Sequence, residues 1–354
     1  MKEEIAAIFA QAKISSALAI GVSWPDGKRR QATHIFLGAP SSFSDEKVDE
    51  TTAFDLASVT KPLVTTLCLH HLVCQGKLTL ADTLANILPE ASAADVAVRQ
   101  ISIGQLLNHC SGLSAHRPYY SRLLALPLEA RKEALLAMIV GEKPVYAAGC
   151  EHIYSDLGFM LLGFVIEHLT GDSLDAYWRR TVARKIGVEN DLFFPGQEKR
   201  PVFAETGVCP WSNQILAGIV HDDNCRSLGG IAGHAGLFGT LGGVMTVCDW
   251  LLALWHDTGR EAEILQKICT PGPDASWCLG FDSPSGPDSA SGRYFQAPSI
   301  GHLGFTGTSF WIDLRRRISV VLLTNRTIFS WDRAEMNCFR REIYDCVMKR
   351  FEDG

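Results

Sequence analysis

Strand-forming sequence stands at both ends of this chain, and a long helix-patterned stretch separates the two. Near the start, Ala17 to Trp24 reads as a strand, Pro25-Asp26-Gly27 as a turn, and Gln31 to Gly38 as the returning strand. Near the end, Thr308 to Asp313 and Ile318 to Leu323 read as strands joined by the charged turn Leu314-Arg315-Arg316-Arg317. Each terminus adds a helix. Ile5, Ile8, Phe9 and Ala12 recur at helical spacing, and so do Met336, Phe339, Ile343 and Val347. Between the ends the pattern is helical, as at Leu157 to Leu169 and Val247 to Trp255, with loop-rich passages at Pro271 to Asp274 and Pro284 to Gly292. Strands and flanking helices at both termini, with helices in the middle, predict an α/β sandwich built from residues 1–65 and 285–354. A mainly helical domain, residues 66–284, is inserted in it.

The length of 354 residues fits two such bodies. Hydrophobic residues at 47% and charged residues at 20% exclude a disordered chain. A formal charge of -6 gives no electrostatic reason to expect nucleic acid or an anionic membrane as partner. The 11 cysteines are odd in number, sit mostly in apolar runs and form no CxxC pair, which reads as reduced, buried thiols in a reducing compartment. The N-terminal stretch carries Glu3 and Glu4 where a signal peptide needs basic residues, and no run is long enough to span a membrane. A cytoplasmic location is the expectation.

Chemistry concentrates first at Phe54-Asp55-Leu56-Ala57-Ser58-Val59-Thr60-Lys61, which leads into an apolar helix running to about Cys74. Ser58 and Lys61 are three apart, so on a helix the hydroxyl and the amine share a face. A serine at a helix start sits among free backbone N–H groups that favour oxyanion character. A partly buried lysine there has its charged form disfavoured, so it could accept the serine proton. The spacing alone is weak, because about one S-x-x-K arises by chance in a chain of this length. Ser44-Asp45-Glu46-Lys47 also fits, but it lies in a charged loop and reads as solvated surface. Pro62 directly after Lys61 is tolerated only in a first helical turn.

Two further stretches place Ser58 and Lys61 in a pattern. Ile153-Tyr154-Ser155-Asp156 precedes a long apolar helix, and Gly301-His302-Leu303-Gly304-Phe305 precedes the C-terminal hairpin. Together they resemble the serine β-lactamase and penicillin-binding-protein superfamily, whose class C branch carries S-x-x-K, then Y-x-N, then K-x-G or H-x-G. Gly76 to Asp82, Ile103 to Leu113 and Gly233 to Phe238 resemble the same branch in the same order, so the resemblance spans nearly the whole chain. It implies a transpeptidase-like fold, an antiparallel sheet flanked by helices. It implies that Ser58 attacks a carbonyl and is acylated, while Tyr154, as phenolate or through Lys61, handles the proton. The oxyanion hole would be the backbone N–H groups of Ser58 and Phe305, and Gly304 would let the backbone approach the substrate. No cofactor or metal is implied. His302 is preferred to His234 as the third-motif histidine because strand sequence follows it, and His234 with His221-Asp222-Asp223 reads as hydrogen-bonded loop side chains.

The departures from the pattern bear on substrate. Leu303 stands where enzymes acting on penicillins or D-Ala-D-Ala peptides usually carry a hydroxyl that helps hold a carboxylate. Asp156 stands where asparagine is usual, so a negative charge near the nucleophile should disfavour anionic substrates and could pair with a substrate ammonium. A small-molecule ester, an amide or a D-amino-acid peptide fits better than a β-lactam. In the loop after Gly112, Tyr119 or Tyr120 would wall the cleft, or would simply pack as loop aromatics. Complete Ser58, Lys61 and Tyr154 argue against a non-catalytic scaffold.

Overall fold

The computed structural model describes residues 1–41, 45–196, 202–270, 277–286 and 288–352. Ser44 and the Pro271 to Asp274 loop lie outside them. The strands in chain order are β1 (Ala17–Asp26), β2 (Arg29–Gly38), β3 (Phe54–Asp55), β4 (Leu192–Phe193), β5 (Phe238–Gly239), β6 (Trp277–Cys278), β7 (Phe281–Asp282), β8 (Ser299–Leu303), β9 (Ser309–Asp313) and β10 (Ile318–Thr324). Seven form one sheet in the order β2-β1-β10-β9-β8-β7-β6, with every neighbouring pair antiparallel. The two terminal hairpins therefore meet at its centre, where Ile20 pairs with Leu322 and Val22 with Val320. The remaining three strands make a small sheet, β3-β5-β4.

Strand periodicity splits the apolar residues between two layers. Leu18, Ile20, Val22, Val320 and Leu322 face a core shared with Ile5, Met336, Phe339, Ile343 and Val347 of the terminal helices Lys2–Ala12 and Arg333–Met348. Ala17, Ala19, Val321, Leu323 and Phe310 face the opposite core. Small side chains on that face let the helix Leu241–Trp255 come close: a Cβ on Gly21 would lie 2.0 Å from Met245 Sδ. The second core continues without a break into the helical middle, through Leu157, Leu161 and Val165 of the helix Asp156–Thr170. The boundary expected at residue 285 is thus displaced. Helix Leu241–Trp255 covers the sheet and β6 and β7 extend it, although both fall in the stretch assigned to the helical domain.

All eleven cysteines are free thiols. No single helix among the described residues is long and apolar enough to cross a membrane.

Candidate active site

The chain leaves β3 through a strained turn. Ala57 has φ +48°, a conformation that non-glycine residues adopt rarely and at some cost. Asp55 braces it: Oδ1 accepts the Ala57 N–H at 2.8 Å and Oδ2 the His221 N–H at 2.7 Å. Burial pushes the Asp55 carboxyl up to about 6. Ser58 then sits on a 3₁₀ turn, Ala57–Val59, and Lys61–Thr66 follows as a π-helical segment before the α-helix Leu67–Cys74. Pro62 falls in the first turn of the π segment, where a missing N–H is harmless.

Lys61 is fully buried. Its Nζ donates to Ser58 Oγ at 2.9 Å, to Asp156 Oδ1 at 2.7 Å and to the His234 carbonyl at 3.0 Å. It also lies 4.9 Å from the centroid of the Tyr154 ring, and the Tyr154 phenol hydrogen-bonds with both Lys61 and Ser58. Three distant stretches of sequence thus converge on one hydroxyl. Tyr154 is positioned by His109, whose ring packs against it, tilted, with centroids 4.6 Å apart and whose Nδ1 accepts the Ser155 N–H at 3.0 Å. Ser155 caps the helix that begins at Asp156 by accepting the Gly158 N–H at 3.3 Å. The Gly233 to Phe238 stretch clasps the nucleophile helix: Gly233 O accepts from Thr65 at 2.6 Å, and Thr60 Oγ1 accepts the Leu237 N–H at 3.1 Å.

The electrostatics correct one expectation. Burial works against the Lys61 charge, but Asp156 and Tyr154 outweigh it, and the ammonium is held above its ordinary range. Burial raises the Asp156 carboxyl, but Lys61 and the hydrogen bond from His116 outweigh it and hold the group well below the usual carboxylate range. Burial pushes the Tyr154 phenol up, with Lys61 opposing, so a phenolate is disfavoured. Burial also pushes His109 down to about 3, and with Lys61 it drives His302 well below 6.5. Both histidines are neutral at pH 7. The resting site is an ammonium, a carboxylate and a phenol.

His302 is the strand histidine, on β8, with its ring 6.0 Å from that of Tyr154, whereas the His234 ring pairs with Asp222 at 2.9 Å. Gly304 is required by packing as well. A Cβ there would lie 2.1 Å from Thr308 Oγ1 and 2.7 Å from the Leu56 carbonyl, so the glycine is needed for packing of this turn on the nucleophile turn, and it also lines the cleft. Thr308 Oγ1 donates to Leu56 O at 3.0 Å and Thr306 Oγ1 to Asp55 O at 2.7 Å, locking Phe305 beside Ser58.

These residues open into a cleft of about 540 Å³, whose lining includes Ser58, Tyr154, Asp156, His302, Leu303, Gly304 and Phe305. Tyr119 and Tyr120 are not part of it. The Tyr119 hydroxyl is drawn to Glu142 at 2.8 Å, and the Tyr120 backbone is tied to Asn224. From the same loop it is His116 that lines the cleft, with Nδ1 3.4 Å from Asp156 Oδ2. Asp156 therefore has one oxygen on Lys61 and the other beside His116 at the wall of the cleft. Sequence reasoning gave no role to His109 or His116, although both stood in stretches it singled out.

The β-lactamase family model matches residues 13–345. The chain belongs to the β-lactamase family. A putative D-alanyl-D-alanine carboxypeptidase of Escherichia coli K12 is 30% identical over 300 residues, covering 78% of this chain and 69% of that protein. An N-acetylmuramyl-L-alanine amidase of Bacillus subtilis 168 is 29% identical over 307 residues, covering 79% and 69%. Among solved structures, EstCE1, a hydrolase with promiscuous acyltransferase activity, superposes with a TM-score of 0.72 at 21% identity, covering 97% of this chain and 98% of that one. A class C β-lactamase from Rhodobacter sphaeroides gives 0.72 at 15% identity, covering 99% of each. This member thus has the β-lactamase fold of a serine hydrolase family.

Proposed function

We propose that the protein is a hydrolase working through an acyl-Ser58 intermediate on a small ester or amide, and that it is a poor β-lactamase. The observation that carries this reading is Ser58 Oγ bonded to Lys61 Nζ at 2.9 Å, with the Tyr154 phenol on both, at the base of an open cleft. Ser58 Oγ attacks the carbonyl carbon, and the oxyanion is received by the backbone N–H groups of Ser58 and Phe305. An ammonium cannot itself take the serine proton. Lys61 therefore passes a proton to Asp156 Oδ1 as it accepts the one from Ser58, and remains charged. The leaving group departs with the proton returned from Asp156 through Lys61, directly or by way of the Tyr154 phenol, which gives up its proton as it takes one from Lys61, so that Asp156 is again a carboxylate. Water then releases the acyl group with Asp156 accepting again. His116 sits on the far oxygen of Asp156 and acts through it as a positioning residue.

Leu303 at the cleft supports weak turnover of β-lactams, since it offers no hydroxyl to a substrate carboxylate. A second reading, a D-Ala-D-Ala carboxypeptidase, draws on the arginines of the same cleft. Arg333 is exposed there, and the Asp156 charge that would have repelled an anion is neutralised by Lys61. Comparing a nitrophenyl ester, a D-alanine nitroanilide, a D-Ala-D-Ala peptide and a chromogenic cephalosporin separates the readings. Fast turnover of the cephalosporin alone defeats the first. Fluorophosphonate labelling mapped to Ser58, lost in Ser58→Ala, tests the acyl-serine step. A folded protein that takes no label is a scaffold rather than an enzyme.

A further inference from the structure

Part of the cleft is apolar beyond anything the proton chemistry uses. Phe305, His221 and Trp331 form one aromatic wall, with ring centroids 5.7 Å apart for Phe305 with each of the others and 5.5 Å for His221 with Trp331. Val208, Pro210 and Leu216 line the same cleft. Its three rings carry no charge at neutral pH, because burial pushes His221 down to about 4. It is also fixed in place: Trp331 Nε1 donates to the Thr327 carbonyl at 3.1 Å, and the Arg326 guanidinium lies 4.9 Å from the Phe305 ring. Yet Trp331 is 63% exposed and Val208 57%.

The exposed large hydrophobics are not scattered. Val208, Trp211, Ile215, Phe329 and Trp331 lie in the two segments bordering the cleft, against Val96, Leu128 and Val145 elsewhere among the described residues. Exposed apolar side chains are ordinary when single, and clustered ones mark a binding surface. Phe305 joins this surface to the chemistry, since it is both a ring of the wall and the residue whose N–H is assigned to the oxyanion. Among the charged residues of the same cleft, Arg326 and Arg333 border the wall at 4.9 Å and 6.0 Å from the Phe305 ring, while Asp282 and Arg340 also line the cleft.

We propose that the wall is a subsite for an apolar group of the substrate, an alkyl chain of several carbons or an aromatic ring, carried within reach of Ser58. This rests on the acyl-serine reading. The group could sit on the acyl side or on the leaving-group side, and the two arms of the test distinguish them. In one arm, kcat/KM is measured for 4-nitrophenyl acetate, butanoate and octanoate. In the other, phenyl acetate is compared with 1-naphthyl acetate. Burying each added methylene should raise kcat/KM by about fourfold over the first few carbons. Trp331→Ala and Val208→Ser should each cost at least fivefold more on the larger substrate than on the smaller in the responding series. A flat or falling series in both arms, or variants that act equally on large and small substrates, overturns the proposal. Fluorophosphonate labelling of Ser58 in the same samples keeps the two claims apart. Labelling with no size dependence removes the subsite alone, and no labelling removes the acyl-serine reading and the subsite with it.

Discussion

Asp156 shows how one substitution in a motif changes the chemistry around it. Asparagine at this position could only hold Lys61, whereas a carboxylate 2.7 Å from Nζ can take a proton from it. Asp156→Asn should therefore slow fluorophosphonate labelling of Ser58 by about 10²–10⁴-fold, the usual range for losing a positioned base. Asp156→Glu should recover part of that rate. The same geometry makes the rate depend on His116. That imidazole is half-exposed, and its hydrogen bond to Asp156 raises its pKa above 6.5, with burial opposing and the charges of Asp156, Asp222 and Asp223 adding to the rise. Asp222 is held by His234 and Asp223 by Arg226, while the adjacent Arg117 pairs with Glu142, so Asp156 is the principal partner. Below its pKa the imidazolium stabilises the carboxylate and lowers its proton affinity. Above it that restraint is released. Labelling should rise in a partial step of about three- to tenfold with a midpoint above 6.5. His116→Gln should abolish the step, and a variant that kept it at the same midpoint would refute the coupling.

At the scale of elements, the site depends on two turns that hold each other. The 304–308 turn bonds to Leu56 O and Asp55 O, and Arg340 from the C-terminal helix donates to Gly304 O at 2.7 Å and Thr308 O at 3.0 Å. Gly304→Ala pushes a methyl into the Leu56 carbonyl, a backbone atom that cannot swing aside. It should cost about 1–3 kcal/mol in urea unfolding and slow Ser58 labelling by more than tenfold, because the nucleophile turn must move. Unchanged labelling would show that the turns are independent. The elements themselves were largely legible. Apolar runs bounded by turn residues placed β1, β9 and β10, which are buried on both faces, and period-3.6 spacing placed both terminal helices, where burial on one face dictates residue choice. The helix after Ser58 was legible only as helix. Its 3₁₀ and π turns come from packing against Gly233 to Leu237, which no local spacing records. The roles given to Tyr119, Tyr120 and the Lys61 charge failed for a related reason. Each depended on which side chain stood opposite: Glu142 for Tyr119, Asn224 for Tyr120 and Asp156 for Lys61.

Across the whole molecule, the sheet joins two cores rather than dividing two domains. Residues of β1 and β10 alternate between them, and the core beneath the helix Asp156–Thr170 is continuous with one face of the sheet. Leu161 in the helical part and Ile343 in the C-terminal helix are both fully buried, one in each core. Truncating either to alanine should cost about 2–5 kcal/mol. Because the strands are shared, neither core can open while the other stays packed, so both variants should shift one common transition. Within each protein, far-ultraviolet circular dichroism, tryptophan fluorescence and Ser58 labelling should lose signal at one common denaturant concentration, lower in both variants than in the parent. Labelling is the most demanding of the three, since Ser58 and Phe305 come from the sheet side and Tyr154 and Asp156 from the helical side. If Leu161→Ala lowered the midpoint for labelling while leaving the circular dichroism of the sheet in place, the helical insertion would be a separate folding unit. The continuous core described above would then not govern stability.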